Sequence, residues 1–497
     1  MKKLILPIFL LGIGVAGCSK FLDRKPLGQY TQDDLGLSAL ESQVMAAYAG
    51  LRTEGCAGVK FGAVHSIRSD DAMKGSIASD GVPAEQMFDD FIYLKDFWLL
   101  NDYWGDHYRL VKLCNDVIGA VDKTANPNPA ELVNRGEAKF LRAYAYFNLV
   151  RAFGEVPKID FVVTNTTEGN VPKKSVAEIY ALIDADLQEA ANVLPPTWGP
   201  EYIGRTTKWA AKALQAKTWI TRSNWGSALG ACREIINSNQ YRLFEPYWKV
   251  FAEEGENCPE SIFEIQALYN STQDYGIQYA NYQGVRGSGN WDLGWGWNVP
   301  TQDLYDAFET GDPRREYTCM ANNAPEPYGI AGTITSQAGF VGKWYNRKAY
   351  THPNVRNSAG GNVPRAGRWL NMRIVRYADV LLWAAEAANE LGGAQNTTDA
   401  LQWLELIRAR ARQGAPAGTL PKVVTTVQAE LRDAIRHERR VEFGMEHERF
   451  YDLVRWGIAE QTFGQLGKNY QPRNRYLPIP QPEIDKSGGV LKQNPDY

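Results

Sequence analysis

Apolar residues recur at helical spacing in two regions of the chain and lose that period between them. From Leu99 to Val121 and from Arg135 to Phe153 the pattern predicts helices, the second with Phe140, Tyr144, Phe147 and Val150 on one face. Gly154 and Pro157 stop it. Ser175-Val-Ala-Glu178 is a capping box, opening a helix whose stripe is Val176, Ile179, Ile183, Leu187, Ala190 and Leu194, ended by Pro195-Pro196. Trp209, Ala213, Ala216 and Ile220 line the next helix, and Ala228, Cys232 and Ile235 the one after. Ala216 and Ala228 stand at the same spacing as Ala388 and Ala400, which belong to a second predicted pair at Arg376–Leu391 and Thr398–Arg412. Small residues so placed suit closely packed hairpins of the tetratricopeptide kind, although no clean repeat of about 34 residues is present and a generic bundle gives similar spacing. Between 267 and 371 the texture changes to Gly, Asn, Tyr and Trp. Tyr269 to Pro300 holds Tyr269, Tyr275, Tyr279, Tyr282, Trp291, Trp295 and Trp297. A short helix is expected at Gln302–Thr310, and a further loop carries Trp344, Tyr345, Tyr350 and Trp369. Long loops in a compact domain are usually functional or disordered, and aromatic density argues against disorder.

The N-terminal pattern is different. Leu4 to Val15 is apolar behind Lys2 and Lys3, too short for the roughly 20 residues of a membrane-spanning helix, and it closes on Val15-Ala16-Gly17-Cys18. This predicts a lipoprotein signal peptide over residues 1–17, with Cys18 as the lipid-bearing mature N-terminus; the plainer reading is an ordinary secretory signal. The chain has 497 residues, 54 basic and 57 acidic. Removing Lys2 and Lys3 from the 54 leaves 52 against 57, a net of −5, and with no basic run longer than a pair, nucleic acid is not an expected partner. Cys56, Cys114, Cys232, Cys258 and Cys319 contain no C-x-x-C, and their odd number leaves at least one unpaired. No metal site is expected: the histidines are scattered, and Val441 stands where H-E-x-x-H would need a second His after His437-Glu438.

Tryptophan placement adds candidate chemistry. Trp209, Trp219, Trp383, Trp403 and Trp456 fall within helical periods and read as core. Trp291, Trp295 and Trp297 sit beside Gly294 and Gly296, which free the backbone to turn rings outward; such rings beside polar groups match the C–H face and hydroxyl rim of a sugar. The alternative is that they fill space under their own loop. Two or three stacking rings with a few hydrogen bonds correspond to about −4 to −8 kcal/mol of binding. Glycoside hydrolysis needs two carboxylates flanking one bond, and Asp70-Asp71, Asp89-Asp90 and Asp306 with Glu309 are unconvincing as such pairs. With no nucleophile, phosphate or dinucleotide fingerprint present, no enzyme and no cofactor are expected.

The segment from Arg436 to Trp456 is dense in charge. Thr425 with Gln428 is expected to cap the helix before it, and its charges read as i, i+3 and i, i+4 pairs joining two helices. Its pattern, Glu438-Arg-Arg-Val-Glu-Phe443 followed by Glu446, Arg449, Asp452-Leu453 and Arg455-Trp456, resembles the signature of the SusD/RagB family of nutrient-binding outer-membrane lipoproteins of Bacteroidetes. Further matches are Cys18-Ser-Lys-Phe-Leu-Asp with Pro26; Trp104, Tyr108, Val111 and Asn115; Glu137 to Leu149 with Gly154 and Pro157; Asp312-Pro-Arg; Arg376-Tyr-Ala-Asp-Val-Leu-Leu; and Leu477-Pro-Ile-Pro with the ending Gln493 to Tyr497. The resemblance implies a mostly α fold, a tetratricopeptide-like helix-pair scaffold with long irregular loops forming the ligand site, divided into an N-terminal helical region 18–240 and a C-terminal region 241–497 that includes binding loops 267–371. It implies a non-catalytic lid, exposed on the outer membrane, that binds oligosaccharides and delivers them to a SusC-like TonB-dependent transporter; the same scaffold serves peptides or other non-sugar nutrients as an alternative. By neighbourhood, the family's site places Arg68, Asp70, Trp98, Asn101, Trp291, Trp295 and Trp297 at the ligand, and Trp104 in the core.

Overall fold

Helix-forming sequence dominates a computed structural model that describes residues 39–165, 167–269, 273–327, 332–354 and 367–497. The expected signal peptide and Cys18 lie outside the described residues. The main helices are α1 (Ala39–Gly50), α2 (Trp98–Asp122), α3 (Pro129–Phe153), α4 (Val176–Val193), α5 (Lys208–Thr221), α6 (Trp225–Asn237), α7 (Tyr377–Leu391), α8 (Ala394–Ala411), α9 (Gln428–Phe443), α10 (Arg449–Arg455) and α11 (Ala459–Gln465). Among the described residues no helix is long and apolar enough to cross a membrane.

Caps set several boundaries. Ser175 and Glu178 form the predicted reciprocal box on α4, the Glu178 amide donating to Ser175 Oγ at 3.3 Å and the Ser175 amide to Glu178 Oε2 at 3.0 Å. Helix α3 starts at Pro129, earlier than its apolar period predicts, because Asn128 and Glu131 form a second box (3.0 and 2.7 Å) and Pro129 occupies the first turn, where its missing N–H costs nothing. The expected cap of α9 by Thr425 is a correction. Val427 holds the cap position, and Thr425, two residues upstream, bonds Glu430 Oε2 at 2.5 Å instead.

Each helix packs on the next from α2 to α6, and α6 then packs on α7, which packs on α8 and α9. The short connections α2–α3, α5–α6 and α7–α8 make those neighbours antiparallel. Ala216, Ala228, Ala388 and Ala400 are fully buried at these contacts, where small side chains let helix backbones approach. The main hydrophobic core runs from Val44 to Leu491, through residues on both sides of position 240. All five described cysteines are buried and unpaired.

The segment 238–376 leaves the stack after α6 and returns to it at α7. Its strands of three or more residues are β2 (Ser261–Ile265), β3 (Trp297–Pro300), β4 (Cys319–Ala321), β5 (Trp344–Asn346) and β6 (Met372–Arg376), while β1 (Ala72–Gly75) comes from before α2. Three antiparallel ladders result: β1 with β3, Gly75 opposite Trp297; β2 with β6; β4 with β5. The excursion also has a small core of its own, Val285, Leu293, Val299, Met320, Ile334, Tyr345, Tyr350 and Trp369. The expected helix at Gln302 is shorter than predicted, ending at Ala307.

Buried charge ties the excursion to the stack. Glu438 and Glu442, fully buried on α9, do not form local i, i+4 pairs as expected. Glu438 meets Arg314 at 2.6 Å and Arg408 at 2.7 Å; Glu442 meets Arg410 at 2.6 Å and both Arg314 and Arg376 at 3.1 Å. Arg376 also reaches Glu260 and Glu446, and Arg410 reaches Glu260. The partners come from separate stretches of chain, so the charge density of the 436–456 motif reflects cross-linking of the fold. Arg455 with Asp452 (2.8 Å) is a local i, i+3 pair.

Candidate functional site

Two of the expected ligand contacts are structural. Residues 63–67 form a wide helical turn directed into the core, and it carries Arg68 inward to full burial, where the guanidinium donates to the carbonyls of Asn474 (2.8 Å) and Arg475 (3.3 Å) and lies 3.9 Å over the Phe450 ring. Asp70 is also buried and takes a bidentate pair from Arg449 at 2.8 Å. Burial pushes its carboxyl up, but Arg449 and Arg440 outweigh that and hold it below the usual carboxylate range. A ligand has no access to either side chain in this conformation.

Trp98 and Asn101 directly follow the segment 81–97. Trp98 opens α2 and is 49% exposed. Beside it, Lys60 Nζ stands 5.9 Å from the ring centroid and bridges Glu54 (3.2 Å) and Asp102 (2.9 Å). Burial works against the Lys60 charge, yet these carboxylates raise its pKa above the ordinary value. Asn101, half-buried on the next turn, donates to the Asp96 carbonyl at 3.2 Å, and its Oδ1 is buried with no partner among the described residues. Nearby, Tyr275 is half exposed, with the Arg52 guanidinium 5.4 Å from its ring; Gln278 ties the two sides together, accepting from Val59 N at 2.9 Å and donating to Glu54 at 3.1 Å.

At the other end of this surface the two glycines act differently from the expectation. Gly294 permits a close backbone approach, since a Cβ there would lie 2.2 Å from the Asn281 carbonyl; Gly296 adopts a left-handed φ of 68°. The turn they make directs Trp297 inward as the first residue of β3, only 6% exposed, with its indole N–H donating to Asp80 at 3.1 Å. Trp297 is therefore a wall of the site, not an outward ring. Trp295 stays half-buried, edge-on to Trp297 at 6.3 Å. Trp291, also half-buried, packs on the excursion's own core, the space-filling role.

The accessible charged pair beside these rings is Asp80 with Arg286, which sequence reasoning missed. Arg286 binds Asp80, donates to Ser76 Oγ at 2.8 Å and Gln337 at 2.9 Å, and approaches the Trp295 carbonyl at 3.4 Å. Against its partial burial, the bonds from Trp297, Ser76 and Arg286 hold the Asp80 carboxyl below its usual range. No local signal joins positions 80 and 286; the β1–β3 ladder does. A chain of interior contacts links the two places, from Trp98 through Phe97 to the fully buried Phe88 (6.1 and 6.2 Å between successive rings), and the buried Trp297 indole lies where a Cβ on Gly81 would touch it. Trp98 has Lys60 and, through it, Asp102 beside its ring, while Trp295 has Arg286 and its partner Asp80 beside its backbone.

A stack of antiparallel helices with an inserted aromatic-rich excursion defines a class: a mostly helical scaffold carrying long irregular loops. The chain belongs to the SusD family. The family model described as "SusD family" matches residues 259–497, and one described as "Starch-binding associating with outer membrane" matches residues 20–220. SusD-like protein P2 of Formosa agariphila is 28% identical over 100% of both chains, and a SusD-like protein of Bacteroides ovatus is 26% identical over 92% of this chain and 83% of its own. Among solved structures, a laminarin binding SusD-like protein superposes with a TM-score of 0.78 at 25% identity, covering 92% of this chain and 99% of the other. Surface glycan-binding protein A from Bacteroides thetaiotaomicron, in complex with laminarihexaose, gives 0.74 at 27% identity over 92% and 98%.

Proposed function

We propose that this protein binds an oligosaccharide at the surface flanked by Trp98 and Trp295 and, held at the outer membrane by lipid on Cys18, passes it to a TonB-dependent transporter without chemistry. One observation carries the reading: Trp98 is a half-exposed indole surrounded by hydrogen-bonding groups, in a chain whose near full-length structural relatives are described as binding laminarin and laminarihexaose. The Trp98 ring with Lys60 and Asp102 beside it, and Trp295 with Asp80 and Arg286, offer apolar contact to the C–H face of a sugar, and donors and acceptors to its hydroxyls. The non-catalytic part of the proposal is supported by the state of the carboxylate pairs. Asp70 and Asp71 are buried against Arg449 and Arg440, Asp89 is buried and accepts from the Lys74 amide, and Glu309 is paired with Arg408.

Calorimetric titration with laminarihexaose tests the binding reading. Binding that Trp98→Ala and Trp295→Ala both weaken is the expected result; binding indifferent to both removes this surface from the site. Loss of membrane association in Cys18→Ser, surface protease accessibility in intact cells and co-purification of a transporter test the anchor, the location and the partner.

A further inference from the structure

Helix α2 carries a second recess beyond Trp98. Its exposed stripe is Trp98, Asp102, Gly105, Arg109 and Lys112, residues that share one helical face. Around Gly105 and Arg109 the stripe opens into a cavity of about 410 Å³, also lined by Asn170 and Leu491. Gly105 keeps it open, since a Cβ there would meet nothing within 4 Å. Trp104 and Tyr108 line it with rings 4.8 Å apart.

Three polar side chains of the cavity are unspent, while Glu483 pairs with Lys486, Lys112 with Asp116, and Ser487 Oγ donates to the Ile484 carbonyl. Trp104 is only 3% exposed, yet its indole N–H makes no hydrogen bond to any described residue. The Arg109 guanidinium and the Asn170 amide likewise have no hydrogen bond or ion pair from their side chains among the described residues. The Tyr108 hydroxyl, by contrast, is committed to the Pro157 carbonyl at 2.8 Å. What remains is the partly exposed Tyr108 ring backed by the edge of Trp104, donors from an indole, a guanidinium and an amide, and an acceptor from the same amide. The Trp104 N–H opens to the cavity, and a sugar ring supplies both an apolar face and the hydroxyls that this set would pair.

We infer that this cavity is a second sugar subsite, continuing the Trp98 surface along α2 and taking the far units of one oligosaccharide chain. The inference rests on the reading given under Proposed function. From Trp98 to Arg109 the helix rises about 16 Å at 1.5 Å per residue, a span of a few sugar rings. A chain engaging both places makes its second contact intramolecularly and gains affinity without any new contact at Trp98.

The test is titration of the full chain with laminaritriose and laminarihexaose, in wild type, Gly105→Leu, Arg109→Ala and Trp98→Ala. Gly105→Leu fills open space on an exposed helix face, so its Tm should match or exceed wild type. The wild type should bind the hexaose about tenfold or more tighter than the triose. Gly105→Leu and Arg109→Ala should each bring the hexaose down to the triose level while leaving triose binding unchanged. Wild-type hexaose affinity in both variants, with binding still lost in Trp98→Ala, overturns the subsite and leaves the Trp98 surface standing. Failure of the wild type to bind either oligosaccharide overturns both readings.

Discussion

Trp98→Ala and Trp297→Ala remove the same side chain from two positions about which the local sequence says little, and they should fail in different ways. A tryptophan buries on the order of 200 Å² when fully covered. With Trp98 49% exposed, about 100 Å² is left for a ligand, which at ~25 cal/mol per Å² is worth about 2.5 kcal/mol, or roughly seventyfold in Kd as an upper figure. Its loss should leave stability within about 0.5 kcal/mol of wild type, as for exposed positions generally. Trp297 is 6% exposed and bonded to Asp80, so its truncation opens a cavity and costs about 3–5 kcal/mol of stability. Urea unfolding followed by far-UV circular dichroism, paired with calorimetric titration of laminarihexaose, reads both quantities on each variant. The reasoning is refuted if Trp98→Ala binds within twofold of wild type, or if Trp297→Ala unfolds at the wild-type midpoint.

Three other outcomes follow from the buried charges. Glu442→Gln breaks contacts to Arg410, Arg376 and Arg314 inside the core and should cost about 3–5 kcal/mol in urea unfolding at pH 7, whereas Glu405→Gln, on a partly exposed pair with Arg412, should cost about 1 kcal/mol or less. Burial pushes the Glu442 carboxyl up, but the arginines overcome it and hold the pKa at about 2; the unfolded chain therefore takes up protons first, and the stability this group contributes is present above about pH 4.5 and lost as pH falls toward 2, a slope that Glu442→Gln should flatten. Asp89 has the opposite sign: burial raises it to about 7, so the unfolded state ionises first and stability falls as pH rises from about 4 to 7, a decline that Asp89→Asn should remove when unfolding is measured across that range.

Several elements were legible because their causes are local. The Ser175–Glu178 box is closed by residues three apart, and the helical stripes follow from burial of one face, so α4 and the centres of α2, α3, α5 and α6 were readable from the chain. The start of α3 carried a readable signal in Asn128-Pro129 and Glu131, which apolar periodicity overlooks because a first turn is polar. The candidate site was legible only in part. Trp98 kept its expected exposure, while Arg68 and Asp70, equally plausible as polar ligands by their neighbourhood, turned inward onto Phe450 and Arg449.

By itself the sequence determined that the chain builds a helical stack interrupted by one aromatic-rich excursion, and its ordered motifs determined the family. Periodicity, caps and motif order are properties of neighbours along the chain, so one sequence suffices to read them. The tertiary structure alone decided which rings face solvent and which charges are spent. Trp297 is buried because β3 pairs with β1 from before α2, Asp80 finds Arg286 across that ladder, and Glu442 meets arginines from three distant segments. Exposure and pairing depend on what the rest of the chain places opposite a residue, and that information is absent from its own surroundings in sequence.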